Sequence, residues 1–133
     1  MLNENAQKWV EALRSGEYQQ TVGRLHRVEA SSVYPAGWCC LGVACDVFDK
    51  ANPGVMERNT AQDVEWFDVY EAAGLPVKVM QWLGVADAMG SYDGNALYAH
   101  NDQDRLSFAE IADVIESEPA GLFKPAAALV ASV

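Results

Sequence analysis

The sequence lacks the features that mark a secreted, membrane or disulfide-stabilised protein. No apolar run reaches the roughly 18 residues that a membrane-spanning helix requires. The first residues, MLNENAQKW, contain neither the basic region nor the apolar region of a signal peptide. The three cysteines are an odd number, which argues against a disulfide framework. We therefore expect a cytosolic protein, without membrane contact, whose thiols are free.

Basic residues are also scarce. Nine Lys and Arg face nineteen Asp and Glu, and the formal net charge is −10. Residues 1–27 carry four basic and three acidic side chains, whereas the remainder carries five basic and sixteen acidic ones. Because affinity for phosphate backbones depends on Lys and Arg, this balance predicts no direct binding to DNA or RNA. An acidic surface of this kind serves solubility or docks to a basic partner.

The sequence motifs of common enzymes and metal sites are missing. There is no Walker loop, no dinucleotide-binding glycine pattern, no zinc-protease helix and no serine-hydrolase elbow. Neither His26 nor His100 is linked by spacing to a cysteine, and the short paired spacing of zinc ligands is absent. We therefore expect no catalytic residue, metal or cofactor. A zinc site that includes Cys39 and Cys45, or a small enzyme that uses Cys39 or His100, stays an alternative.

The chain length of 133 residues and its 50% hydrophobic content suit one domain over residues 1–133. We expect the α+β class, mainly helical, with three to four helices and a small antiparallel sheet. Four segments have the apolar spacing of helices, and Ser107 and Glu110 form a capping box before the last of them. The helices are expected to begin at Asn3 or Asn5, Trp38, Pro76 and Ser107, and the first three to end near Gly16, Asn52 and Gly84.

Strands and loops are expected between these helices. Alternating or β-branched residues indicate strands, and polar stretches indicate loops. The pair Asp93-Gly94 predicts a hairpin turn. The expected strands are 18–28 (as a strand or hairpin arm), 65–71 and 96–99, and the expected loops are 29–37 and 55–63.

The stretch WCCLGVACD, residues 38–46, holds all three cysteines. On a helix, adjacent cysteines point about 100° apart, so Cys39 and Cys40 do not suit one shared site. Free cysteine is among the most buried residue types and packs as a small apolar side chain. The stretch therefore predicts a tightly packed core helix.

A basic cluster stands out in this acidic chain at residues 24–27. Arginine binds phosphate through paired N–H groups, and aromatic rings stack on bases, so such a cluster suits a nucleotide-like ligand. Pairing with surface carboxylates is the alternative. The polar segment HNDQD, residues 100–104, is either a solvated turn or a second set of ligand contacts. The candidate ligand-binding residues are Arg24, His26, Arg27, Trp38, Tyr98, His100, Asn101 and Asp102.

Several segments resemble a family of small proteins encoded by tailed bacteriophages and prophages. They are KWVEALRSGEYQQ, the Gly-x-Leu step at 23–25, WCCLGVACDVF, LPVKVMQWLGV and LSFAEIADVIE, in the family's order and over most of the chain up to Glu116. The resemblance implies a phage origin and a setting in the cytoplasm of an infected bacterium. It implies no mechanism.

Together these observations predict a phage accessory protein of the counter-defence type. We expect it to sequester a small nucleotide-type immune signal of the host without chemistry. The alternatives are an acidic inhibitor that mimics nucleic acid and blocks a host nuclease or defence enzyme, and the small enzyme already named. A homo-oligomer is expected, because residues 119–133 end in an uncharged Ala/Val tail that suits a packed arm or a subunit contact.

Overall fold

The chain alternates short strands with helices in the part that the computed structural model describes, residues 1–69 and 71–124. A small antiparallel sheet of four strands and a separate two-stranded hairpin lie among the helices, which confirms the predicted α+β class. The helices are α1 (Glu4–Arg14), α2 (Cys40–Ala51), α3 (Val77–Leu83), α4 (Leu97–Asp102) and α5 (Phe108–Glu116). The strands are β1 (His26–Arg27), β2 (Gly37–Trp38), β3 (Arg58–Ala61), β4 (Val64–Phe67), β5 (Ser91–Tyr92) and β6 (Asn95–Ala96).

The larger sheet has the strand order β2-β1-β4-β3, and each neighbouring pair is antiparallel. His26 of β1 pairs with Trp38 of β2, and Arg27 pairs with Gly37. On its other side Arg27 pairs with Val64 of β4. The loop between β1 and β2 is therefore closed at its base by strand pairing.

Helix α2 forms the centre of the core, as the cysteine-rich stretch predicts. Residues 40–46 are all buried. The indole N–H of Trp9 on α1 donates to the Cys40 carbonyl at 2.9 Å. Gly42 lies against the Leu25 backbone, where a Cβ would sit 1.8 Å from the Leu25 carbonyl oxygen. Only glycine permits this approach.

The predicted start of α2 at Trp38 is too early. Trp38 belongs to β2, and Cys39 is the N-cap, whose Sγ accepts a hydrogen bond from the Gly42 amide at 3.4 Å. The pairing of Trp38 with β1 keeps this residue extended, so the helix begins only after the chain has left the sheet.

The other predicted helix ends are confirmed. Asn3 caps α1 by accepting from the Ala6 amide at 2.8 Å. Gly84 ends α3 in the left-handed conformation, with φ 77°. Ser107 and Glu110 form the expected capping box at α5. Each end depends on residues within one turn of the helix: side chains accept at Asn3 and Ser107, and the backbone N–H of Gly84 donates to the Met80 carbonyl. Such local signals can be recognised in the sequence.

The expected loop at 55–63 is wrong, because β3 lies within it and forms a hairpin with β4. The two turn residues, Gln62 and Asp63, have φ of 56° and 65°. This geometry fits a type I′ turn, which usually contains Asn-Gly, so Gln-Asp gives no signal. Strand β4 ends at Phe67 rather than residue 71, since the next two residues have φ of 50° and 76°.

The expected strand at 96–99 is also wrong. The turn at Asp93-Gly94 joins β5 to β6 as predicted, but α4 begins directly afterwards. Helix α4 buries Leu97 and Asn101, which lie four residues apart on one face. Because Asn101 is polar, the sequence of α4 does not show the apolar spacing that predicts a helix.

The described chain after α5 returns to the core. Leu122 is fully buried, and Phe123 forms a bridge with Val85. The rest of the predicted tail, residues 125–133, lies outside the described residues. None of the described helices has the length and apolar character needed to cross a membrane.

Candidate functional site

A hollow of about 390 Å³ adjoins the loop between β1 and β2 and the end of α4. Its lining includes Gln20, Tyr34, Asn101 and Arg105. This volume lies within the range of small-molecule sites, about 300–1,000 Å³. We call it the Tyr34 hollow.

Arg27 extends its side chain from β1 to the edge of this hollow. Its guanidinium lies over the Tyr34 ring, 4.3 Å from the ring centroid. Its Nε donates to the Val22 carbonyl at 3.1 Å, which holds the side chain in place. A cation over an aromatic face is an attractive contact, and the Tyr34 side chain nevertheless stays 37% exposed. One ring face is therefore covered by Arg27, while the residue remains accessible.

Three arginines lack a carboxylate partner among residues 1–69 and 71–124, and one of them, Arg105, lines this hollow. They are Arg24, Arg27 and Arg105, and no described carboxylate oxygen lies within 4.0 Å of their nitrogens. The remaining arginines, Arg14 and Arg58, are each paired with carboxylates. In a chain with nineteen acidic residues, unpaired arginines near one hollow give it a local positive potential.

Each of these arginines is anchored by one hydrogen bond to a backbone carbonyl. Besides the bond of Arg27, the Arg24 Nη1 donates to Gly23 at 2.8 Å and the Arg105 Nε donates to Asp102 at 3.1 Å. Because a guanidinium has five N–H donors, most of them stay available. The anchored Nε of Arg27 and Arg105 leaves their paired Nη groups for an anion.

The lining of the Tyr34 hollow suits binding rather than proton transfer. Among the described residues, its lining contains no histidine, cysteine, lysine or carboxylate side chain. The Thr21 hydroxyl is used within the fold, where it donates to the Pro35 carbonyl at 2.7 Å. The hollow can therefore offer cationic donors, an aromatic face and amide groups, but no ordinary general base.

His26 and Trp38, two further candidates, lie together but are engaged inside the fold. Their rings are stacked, with centroids 3.6 Å apart and an interplanar angle of 6°. The His26 Nδ1 is hydrogen-bonded to Glu65 Oε1 at 2.7 Å. Glu65 also accepts two hydrogen bonds from Arg58, at 2.7 and 2.9 Å. These contacts join β1, β2, β3 and β4.

Arg58 is the centre of a half-buried charged cluster that the sequence pattern did not reveal. Besides Glu65, it contacts Asp46 at 3.0 Å and Asp49 at 3.1 Å. Tyr18 donates to the Asp46 carboxylate at 2.5 Å. Burial by itself raises the pKa of Glu65, but the hydrogen bonds from His26 and Arg58 outweigh it and hold the pKa at about 2. Its side chains are bound to one another across α2, β3 and β4, so the cluster acts as a structural clamp.

Tyr98 and His100 line a different, larger hollow of about 670 Å³. The His100 Nδ1 is hydrogen-bonded to Asp104 at 2.7 Å, and its Nε2 is hydrogen-bonded to the Tyr92 hydroxyl. Burial, and then the charge of Asp104, raise the pKa of Tyr92, so the phenol keeps its proton at neutral pH. Within residues 1–69 and 71–124, the lining includes Asp93 and Asp104 but no lysine or arginine, which disfavours phosphate there.

Asn101 and Asp102 have internal roles. Asn101 is 1% exposed, and its Oδ1 accepts from the Gln20 side chain and from the Cys40 amide. Its Nδ2 donates to the Thr21 carbonyl at 2.8 Å and to Asp102 at 2.9 Å. Asn101 therefore ties α4 to the start of α2 and forms the floor of the Tyr34 hollow.

The three cysteines are unsuited to nucleophilic chemistry. All are buried and free. Burial raises the pKa of Cys39 to about 12 and raises the pKa values of Cys40 and Cys45 well above the usual range. A reactive thiol needs a lowered pKa and access to solvent. Among the described residues, no group of three or more His, Cys, Asp or Glu side chains is arranged to hold a metal ion.

The candidate residues thus occupy different places, and sequence reasoning missed important members of the Tyr34 hollow. Arg27 lies at its edge and Arg24 is a chain neighbour of Val22 in its lining, whereas His26 with Trp38 and Tyr98 with His100 lie in two other clusters. The lining residues missing from the predicted ligand-binding set include Gln20, Tyr34 and Arg105. Arg105 directly follows the polar segment 100–104, so its position beside that segment was the signal available in the sequence.

A search of curated proteins and a search of solved structures each gave no significant match. A family model described as "Domain of unknown function (DUF8296)" matches residues 1–119, which covers the five helices and two sheets of the described part of the chain. The chain therefore belongs to the DUF8296 family.

Proposed function

We propose that this protein binds a small nucleotide-type anion in the Tyr34 hollow and holds it without chemical change. The supporting observation is the position of Arg27 on the Tyr34 ring, beside a hollow lined by Arg105, with no described carboxylate pairing either arginine. The combination of an aromatic face and unpaired guanidinium groups matches the two parts of a nucleotide, its base and its phosphate.

The proposed binding mode follows from the donors that remain available. The Nη groups of Arg27 and Arg105 hold the phosphate, and Arg24 adds positive charge near Val22, which lines the hollow. Because the Arg27 guanidinium covers one face of Tyr34, the base stacks on the opposite face. The lining residues that the structure describes include no general base, so the ligand stays intact.

The biological role extends this proposal through the resemblance to phage proteins. A phage protein that holds a host nucleotide signal one-to-one in the bacterial cytoplasm would lower the free concentration of that signal and so blunt the immune response. Exposed Val28 and Val33 near the hollow would be covered by a second copy, so we propose a homo-oligomer, which sedimentation velocity tests directly.

Thermal unfolding and calorimetric titration test the binding. The probes are cyclic dinucleotides, cyclic oligonucleotides and cyclic ADP-ribose isomers. A ligand at about 100 times its dissociation constant stabilises the folded protein by about 2.7 kcal/mol, which shifts the midpoint by several degrees. Chromatography of the recovered ligand must show that it is unchanged.

The variants Arg27→Ala and Arg105→Ala should weaken binding at least tenfold, as each loses charged hydrogen bonds to phosphate. Lys8→Ala is the matched control, because Lys8 is an exposed cation of α1 that does not line the hollow. Equal losses in all three variants, or no stabilisation by any probe, would contradict the proposal. The second result would favour the acidic inhibitor of a host protein, and a pull-down from host lysate would follow.

A further inference from the structure

We infer that Gln20 makes the Tyr34 hollow selective for a base that presents an N–H group. The inference rests on the proposed function, since it concerns the ligand of the same hollow. Gln20 lines the hollow, and its side-chain amide is held in one orientation by its neighbours. A fixed amide presents either a donor or an acceptor, and so discriminates between ligand edges.

Both hydrogens of the Gln20 amide nitrogen are used inside the protein. Nε2 donates to Asn101 Oδ1 at 2.9 Å and to the Leu106 carbonyl at 2.8 Å. The Leu106 carbonyl can only accept. The Asn101 amide is oriented by backbone groups too, because its Oδ1 accepts from Cys40 N and its Nδ2 donates to Thr21 O. If the Gln20 amide were flipped, its Oε1 would face the Asn101 Oδ1 and the Leu106 carbonyl oxygen, two atoms that accept and cannot donate.

The remaining polar atom of this side chain is the carbonyl oxygen, Oε1. No donor from the described residues reaches it. Every buried side-chain oxygen and nitrogen in the described part of the chain has a hydrogen-bond partner, so this oxygen is in contact with solvent. Gln20 lines the hollow and its Nε2 is engaged, so the inferred contact with a bound ligand is through Oε1 as a fixed acceptor.

A fixed acceptor favours a base edge that donates. The 6-amino group of adenine donates, whereas the corresponding edge of unsubstituted purine has only a C–H and ring nitrogens that accept. A ligand without the donor leaves Oε1 desolvated and unpaired, which costs affinity. One such hydrogen bond corresponds to a preference of about 3- to 10-fold in the dissociation constant.

Two nucleotides of the same charge and sugar test this selectivity by isothermal titration. The probes are adenosine 5′-monophosphate and purine riboside 5′-monophosphate, which lacks only the 6-amino group. We expect the wild-type protein to prefer the adenosine compound about 3- to 10-fold. Arg27→Ala should weaken both nucleotides alike and keep the preference, whereas Gln20→Met should lose the preference.

The possible outcomes distinguish the role of Gln20 from the proposed binding of a nucleotide in the Tyr34 hollow. Equal binding of both nucleotides to the wild-type protein overturns the role of Gln20 and leaves nucleotide binding intact. A preference that survives in a folded Gln20→Met variant, checked by its thermal transition, overturns it as well. Binding of neither nucleotide contradicts the proposed function and the selectivity together. The wild-type comparison needs no variant, so a poorly folded Gln20→Met protein does not remove the test.

Discussion

The imidazole of His26 lies flat against the indole of Trp38, with the ring planes only 6° apart. The two residues are also direct partners in the β1–β2 ladder, so backbone pairing and ring stacking hold the same two strands. Glu65 completes the arrangement by its hydrogen bond to the His26 Nδ1. A base can stack on Trp38 at this face only by displacing His26, which is why the Tyr34 ring is the better ligand surface.

Glu65 should make the protein acid-sensitive in a defined range. Its pKa is held at about 2 against an ordinary 4.5, so the folded state binds fewer protons than the unfolded state between these values. The resulting stability, on the order of 3 kcal/mol, is present above pH 4.5 and is lost as the pH falls towards 2. Urea unfolding at stepped pH should therefore show that the difference in unfolding free energy between wild type and Glu65→Gln becomes smaller as the pH falls through this interval.

Glu116 provides a matched control for this measurement. It also pairs with an arginine, Arg14, but on the exposed surface. The hydrogen bond from Arg14 lowers the pKa of Glu116, yet solvent and salt screen the pair. The dependence of the unfolding free energy on pH should therefore be nearly the same in Glu116→Gln and in the wild type. If both variants changed the pH dependence of the unfolding free energy equally, burial of Glu65 would not be the cause of the acid sensitivity.

Gly42→Ala should destabilise the protein by about 3 kcal/mol or more, measured by urea unfolding. Alanine normally favours a helix over glycine by about 1 kcal/mol, but here its Cβ would lie 1.8 Å from the Leu25 carbonyl oxygen. A clash with backbone atoms cannot be relieved by a change of side-chain rotamer, so the backbone itself must shift. Gly16→Ala is the control: its φ is 78° with nothing near the added Cβ, so only about 1 kcal/mol is expected. A similar loss of unfolding free energy in Gly42→Ala and Gly16→Ala would contradict the close approach of α2 to Leu25.

The cysteines should differ in their tolerance of serine. Cys45 is fully buried, so Cys45→Ser places a hydroxyl in the core and should cost about 1–3 kcal/mol of unfolding free energy. Cys39 is the N-cap of α2, where a serine oxygen accepts the Gly42 N–H at least as well, and Cys39→Ser should cost less than about 1 kcal/mol. In the native protein no thiol should react with Ellman's reagent until denaturant is added. Rapid native labelling would contradict the burial of the thiols.

His100→Asn should leave nucleotide binding in the Tyr34 hollow within twofold of the wild type. His100 lines the other hollow, where its partners are Asp104 and Tyr92. The variant removes the side chain best suited to proton transfer, so it also tests the enzymatic alternative. Nucleotide consumed by wild-type protein but not by His100→Asn would establish that alternative and contradict sequestration.

Local signals in the sequence were sufficient for the features that neighbouring residues decide. The N-cap at Asn3, the capping box at Ser107 and the glycine end of α3 depend on contacts within a few residues, and each is confirmed. The same holds for the turn at Asp93-Gly94, whose residues adopt positive φ readily. The burial of the cysteines followed from their small apolar character.

What the sequence by itself determined is therefore the α+β class, most of the helices and the packed character of WCCLGVACD. Tertiary structure alone decided that α4 turns Asn101 inward, that Gln62-Asp63 closes a hairpin, and which arginines stay without a carboxylate. The physical reason is distance along the chain: the hydrogen bond between the side-chain amides of Gln20 and Asn101 spans 81 residues. Contacts of that span depend on how helices and sheet pack together, and no local pattern encodes them.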